Sequence, residues 1–544
     1  MPSTFLMISA PPLAVVPVLV NAGAALLPAI VAALASALAL VLKPREFLRA
    51  VRRRPLVALA VLALVAGSWL GWRHLAAQPA KAAIRESVPT TSDWSKVALE
   101  VMRQERVAPR LPSIPDPTAS VAASKPVVFR NNFERNGFSG GASPESLQPL
   151  WEYNEDNTLY LSSPIMDGER VYGASAYLDV GKTYGAIFCL DSRSGKVIWQ
   201  TDSEPQGRGF SGFFSSPALT ADRKSLVIGQ GLHADAGVSL VCLNTETGAV
   251  RWVVRSPLHI ESSPAIEGDI VVVGAGAIET GPDHKPSGDP NGIGNPGYVF
   301  GVRISDGREL WRYPLNDPEG SPAIEDGVAY IGSGVNGAAV AALRIASDED
   351  LKASGLDRLV WKVPAPHAAT GAVTLVKNLV LVGCGRGDFV FSDPNPEGVV
   401  LALEKTTGKT VWKTVLPDAV LGSIAVVDGR AIVPVRNGEL VALNIEDGQI
   451  LWRQEDPKAR ISGTSAVLSS PAFTGTLIYA TSQDGYLAVI DPADGKILER
   501  HYINATDKPG ELGLTFSSPW VGNGVVIVGS ETGGLRAFSG KSAR

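Results

Sequence analysis

Six side chains stand where their types could do chemistry: Arg208, His259, Glu261, Asp317, Glu319 and His367. His259 and Glu261 come just before one Ser-Ser-Pro-like strand start, Asp317 and Glu319 before the next and His367 before the one after, with Arg208 on the corresponding earlier connection. Imidazole titrates near neutral pH, carboxylates accept hydrogen bonds and a guanidinium donates them in a planar fork. The set fits recognition of a polar ligand or a peptide segment. It also reads as ordinary solvated charge at a wet channel mouth. No catalytic or metal-binding role is assigned to it.

Other reactive residue types are sparse. Asp283, His284, Asp289 and Asn291 could hold Ca²⁺ through oxygen ligands, from the carboxylate and amide side chains and backbone carbonyls, but their spacing matches no calcium loop and they read as a solvated turn. The chain has three cysteines. Cys189 and Cys242 occupy one repeat position held elsewhere by Gly301, Ala402, Ala442 and Val489, so they read as small core residues. Cys384 has no partner nearby in sequence, and neither a disulfide framework nor a metal-spaced cluster results.

The elements that must position these residues are repeats. IFCLDSRSGKVIW, ending at Trp199, returns in variant form at Trp252, Trp311, Trp412 and Trp452, more loosely at Trp361 and without Trp at Glu499. Alternating apolar residues, a polar turn ending on Gly and a returning strand predict a β-hairpin with a bulged turn. Upstream of the hairpins, strand starts fall at Ser162, Ser215, Ser262, Gly320, Thr370, Gly422, Ser469 and Ser517. A period near 50 residues with four strands per unit predicts an eight-bladed β-propeller over residues 127–544.

The two ends of that region complement each other. The last repeat supplies three strands and stops, whereas Leu150-Trp151 has the form of an outer strand with no hairpin before it. Trp151 is therefore expected to complete the blade that begins at Ser517 and to close the ring non-covalently. The recurring Trp residues read as packing devices, each indole filling the wedge between neighbouring sheets with its N–H on a backbone carbonyl. Glu499 marks the seam expected to be weakest. Loops between second and third strands are long in blades one to five and tight in blades six to eight, which places the expected binding face over the first five blades.

Residues 1–78 read as a membrane anchor, because the first 42 carry no charge and the uncharged runs at about 19–42 and 55–76 are long enough to span a bilayer. Between them Lys43–Arg54 carries six basic residues and one acid, which predicts a cytoplasmic loop, a transmembrane helical hairpin and delivery of the propeller to the periplasmic side of the inner (cytoplasmic) membrane. A signal peptide cleaved near Ala77 is the other reading of the second run. Residues 79–126 form an Ala/Pro/Ser-rich linker with a short amphipathic helix over Asp93–Arg106, for docking or for packing on its own domain. Without the basic loop the rest of the chain carries about −10 of the formal charge, which excludes nucleic acid as a partner.

The apolar-Asp-x-x-(Thr/Ser/Asp)-Gly-x-x-x-Trp repeats with Ser-Ser-Pro starts resemble the pyrroloquinoline-quinone (PQQ) type propeller family. The resemblance implies either a quinoprotein dehydrogenase or a non-enzymatic propeller similar to the scaffold lipoprotein of outer-membrane protein assembly. Alcohol-oxidising members hold PQQ between a Trp and a disulfide of adjacent cysteines, beside Ca²⁺ on Glu, Asn and Asp. This chain has no adjacent cysteines and no Cys-x-x-Cys-His haem motif, and no catalytic residue carries over. The expectation is a membrane-anchored extracytoplasmic scaffold or ligand-binding module without a cofactor. The alternative is a PQQ-dependent alcohol or sugar dehydrogenase, with PQQ and Ca²⁺.

Overall fold

In the computed structural model the described residues are 125–540, apart from breaks at 145, 156–157, 180–181, 233–234, 236, 277–296, 335–336, 388–391, 463–465 and 505–514. Both uncharged N-terminal runs, the linker helix and the Asp283–Asn291 turn lie outside them. Among the described residues no helix is long and apolar enough to cross a membrane.

Each repeat becomes an antiparallel four-stranded blade, and eight blades form the ring. Blade three is representative: Ala265–Glu267 innermost, then Ile270–Ala275, Tyr298–Arg303 and Glu309–Pro314 outermost. The turn before the outermost strand follows from its sequence. In blade one Asp191 Oδ1 accepts from the backbone N–H groups of Arg193 and Ser194, Gly195 takes φ +68°, and the register then shifts between Cys189 and Leu190. The same bulge follows Cys242, Gly301, Ala342, Ala402, Ala442 and Val489.

That glycine has a second task. Trp199 of blade one lies on Gly248 of blade two, where a Cβ would stand 2.6 Å from the indole. The indole N–H of Trp199 donates to Thr245 O at 2.8 Å. Trp151, Trp252, Trp311, Trp361, Trp412 and Trp452 repeat the bond to carbonyls of Ser192, Ile304, Ile345, Lys405, Ile445 and Pro492 at 2.7 to 2.9 Å. Where the helix Asp348–Ser354 interrupts blade four, the Arg358 guanidinium covers Trp311 at 4.2 Å. At the eighth seam Glu499 replaces Trp, and its carboxylate accepts from Leu147 N at 3.1 Å.

Leu147 begins the closing strand. Leu147–Tyr153 pairs antiparallel with Gly534–Gly540, with Trp151 opposite Ala537, so the N-terminal strand completes blade eight as expected. Burial is nearly complete along second and third strands, which face neighbours on both sides.

The Ser-Ser-Pro starts have a function that the repeat alone does not reveal. The second serine of each start accepts, through Oγ, the backbone N–H of its counterpart in the preceding blade. These bonds run Ser163 to Ser216, Ser263 and Ser321, then Ala372 to Ser423, Ser470 and Ser518, and from Ser518 back to Ser163, at 2.8 to 3.0 Å. The belt is interrupted at Ala372, which has no hydroxyl to offer Ser321. It also sets the phase of blade five: Ala372 is the equivalent of Ser423, so that repeat starts at Gly371, one residue later than Thr370.

The segment before the closing strand crosses the central channel. Val127 bridges Leu219 of blade two, carbonyls of Glu134, Asn136 and Gly137 accept from Leu375, Val426 and Phe473 of blades five to seven, and Phe138–Ser139 pairs in parallel with the innermost strand of blade seven. Arg135 is fully buried there, donating to carbonyls of Phe129, Ser263, Pro264 and Pro322. Burial, with neighbouring Arg130 adding to it, pushes the Arg135 guanidinium down to about 9, so it stays charged at neutral pH.

Candidate functional site

Just outside the serine belt, the residue preceding each strand start faces the axis: Leu161, Phe214, Glu261, Glu319, Thr370, Leu421, Leu468 and Phe516, one from each blade. Five are apolar, and Phe214 and Phe516 approach with ring centroids 5.5 Å apart. They line an axial cavity of about 80 Å³ whose opposite wall includes Phe129 of the crossing segment. Blades three and four break the apolar ring with two glutamates.

Alternate residues of an extended segment point the same way, so the position two residues earlier shares that side. It holds Leu159, Gly212, Ala368, Ala419 and Ala466 in other blades, but His259 in blade three and Asp317 in blade four. The four polar residues therefore converge. His259 and Asp317 are fully buried, Glu261 is 7% exposed and the Glu319 side chain 8%. His259 Nε2 lies 3.5 Å from Glu319 Oε1, and one ligand atom from each of His259, Glu261 and Glu319 falls within 4.8 Å of the others.

Glycines at the ends of the second strands make the room. A Cβ on Gly276 would stand 2.7 Å from His259 Nε2 and 3.1 Å from Asp317 Oδ1, and one on Gly334 would stand 2.6 Å from Asp317 Oδ2. Asp317 itself has φ +48°, a left-handed conformation that Asp tolerates better than most residues, and its carbonyl accepts from Gly334 N and Glu319 N.

The other two expected site residues take different partners. His367 lies one residue further from its strand start than His259 does, which turns it to the other side. Its Nε2 meets Glu397 Oε1 at 2.6 Å, and that hydrogen bond holds the Glu397 carboxyl below the usual carboxylate range. Arg208 donates to Gly237 O on an exposed connection. Glu204, which was not singled out from the sequence, is buried under Arg255 through a two-pronged pair. The serine belt and the Arg135 plug were also missed, although two arginines in VVFRNNFERNGF among apolar residues were a signal for buried guanidinium.

The axial cavity is well below the roughly 300–1,000 Å³ of a pocket for a drug-sized ligand. The three cysteines are buried and free, with burial pushing each thiol up to about 12.

A family profile described as outer membrane protein assembly factor BamB matches residues 144–386 and 347–544. The outer membrane protein assembly factor BamB of Yersinia pestis is 23% identical over 386 residues, covering 69% of this chain and 84% of that protein. Tetrathionate hydrolase of Acidithiobacillus ferrooxidans is 20% identical over 374 residues, covering 63% of this chain and 66% of that one. Among solved structures, quinohemoprotein alcohol dehydrogenase from Comamonas testosteroni superposes with a TM-score of 0.52 at 14% identity, over 83% of this chain and 85% of that chain, a likeness of fold alone. These findings correct the expected inner-membrane location, since several relatives are named for outer membrane protein assembly. The physical reason for the error is that an uncharged run reports affinity for a bilayer without distinguishing one bilayer from another.

Proposed function

The chain belongs to the outer membrane protein assembly factor BamB family, and from that premise we propose that its propeller is a protein-interaction scaffold serving outer membrane protein assembly. The observation that carries this reading is the extent of the family match, which runs through the whole ring from the closing strand to the last blade. A ring held by indole bonds at seven seams and a serine belt inside is a rigid platform for loops. In this reading the partner, or a small polar ligand, docks on the loop-rich face of blades one to five, with Arg208 and His367 at its edge. The uncharged runs of residues 1–78 attach the chain to a membrane, and residues 79–126 act as its spacer.

Photo-crosslinking tests the face. Photoreactive residues at Leu178, Arg208 and Asn395 sample the long loops, and the same residues at Arg193, Glu246 and Thr406 sample the turns at the other ends of the strands. Crosslinks to an assembly component from the first set are expected. Crosslinks confined to the second set would move the docking face to the opposite side. Dye reduction by purified protein with PQQ, Ca²⁺ and alcohols or sugars would replace the scaffold reading with an enzymatic one.

A further inference from the structure

We propose that His259, Glu261 and Glu319 form a binding site for one divalent transition-metal ion at the mouth of the axial channel. The inference goes beyond the scaffold reading and holds whether or not a partner docks on the loops.

The first argument is geometric. Zinc ligands about 2.1 Å from a tetrahedral ion stand about 3.4 Å from one another. His259 Nε2 and Glu319 Oε1 are 3.5 Å apart, and the Glu261 carboxylate lies within 4.8 Å of both, a gap that carboxylate rotation closes. The second argument is positional. Eight equivalent positions face the axis, and glutamate occurs at two adjacent ones, in the blades whose next inward-facing positions hold His259 and Asp317. Repetition of a packing role predicts Leu or Phe there, so the departure requires another cause. The third is spatial. Gly276 leaves open the volume beside His259 Nε2 and Asp317 Oδ1 that any side chain would fill.

The donor set selects the metal. One imidazole nitrogen and two carboxylates suit Zn²⁺ or Mn²⁺, whereas Ca²⁺ takes six to eight oxygens. Three protein ligands leave a position open, and because Glu261 and Glu319 also line the axial cavity, the open position lies on that side. Water or an oxygen of an anionic ligand would complete the shell there. Asp317 Oδ1 and His259 Nε2 flank the same Gly276 position, which makes Asp317 the outer carboxylate of the site.

The test uses the full chain, stripped with EDTA and titrated with Zn²⁺, Mn²⁺ and Ca²⁺ by calorimetry, with metal content measured after dialysis. One Zn²⁺ or Mn²⁺ per chain is expected. Glu261→Gln, Glu319→Gln and Gly276→Ala are each expected to abolish binding, and Asp317→Asn to weaken it by about 10- to 100-fold. His367→Ala is expected to leave binding unchanged. Because the Gln variants keep shape and size, circular dichroism and thermal unfolding separate lost binding from lost fold. Co²⁺ in place of Zn²⁺ adds a visible spectrum that changes when His259 is replaced. Failure of the parent chain to hold any ion, retention of binding by both Gln variants, or preference for Ca²⁺ over Zn²⁺ and Mn²⁺ would overturn the assignment.

Discussion

The segments that lead into the innermost strands of blades three and four meet buried charge at two levels, and the two levels are built on opposite principles. At the inner level Arg135 lies against Ser263, Pro264 and Pro322, with four of its five N–H groups donating to backbone carbonyls, the fourth that of Phe129. At the mouth, only a few residues further back along the same segments, Glu261 and Glu319 gather about His259, with Asp317 beside them. A guanidinium that gathers carbonyls from separate blades offsets its own desolvation through hydrogen bonds and locks the crossing segment in place. Like charges gathered in one spot do the reverse, since each additional carboxylate raises the energy of its neighbours. The comparison sets one cation dispersed over backbone carbonyls against several acids grouped around one imidazole.

Arg135→Met is the strongest way to break that comparison. It keeps the volume but strips the hydrogen bonds from four carbonyls, and at roughly 1–3 kcal/mol per buried unsatisfied group a loss of at least about 4 kcal/mol is expected in urea unfolding. A loss under about 1 kcal/mol would mean that water replaces the guanidinium and that the plug is not structural.

Glu319→Gln in EDTA sharpens it by sign. Removing one of the massed carboxylates from the metal-free protein is expected to raise stability by about 1 kcal/mol, read as a higher urea midpoint. A decrease of the same size would place the mouth in the same structural class as the floor.

Trp412→Phe supplies a scale away from the axis. It removes the bond to Ile445 O while keeping an aromatic ring in the wedge, and a loss of about 1–2 kcal/mol is expected, combining the bond with the smaller ring.

The smallest effect concerns the mouth's outer edge. Glu397 is held below the usual carboxylate range by His367, so the pair's contribution is present above the unfolded glutamate value near 4.3 and disappears as pH falls through the folded one. Glu397→Gln is therefore expected to differ slightly from the parent in unfolding midpoint at pH 6 and to match it at pH 3. A difference that persists at pH 3 would show that the pairing charge is not its source.

Much of the fold was legible because it is written locally and repeatedly. The turn Asp and Gly, the bulge, the Trp and the strand that closes blade eight each follow from neighbours within one repeat or from counting repeats. The misplaced start at Thr370 shows the limit: with both serines degenerate in blade five, only the belt bond from Ala372 to Ser423 sets the phase. The candidate residues were legible as types and as neighbours of strand starts. Their meeting was not, because one residue of register separates His259, which faces the cluster, from His367, which turns to Glu397.

The sequence by itself determined the eight blades, their order, the Trp seams and the partnership between Trp151 and the last repeat, since each depends on a pattern that a single repeat carries. Only the tertiary structure decided that Arg135 plugs the channel, that the second serines join into a belt, and that His259 stands beside Glu319. Those contacts join residues of different blades, and they exist because ring closure brings equivalent positions to one axis, where a residue's neighbours are its counterparts rather than its sequence neighbours.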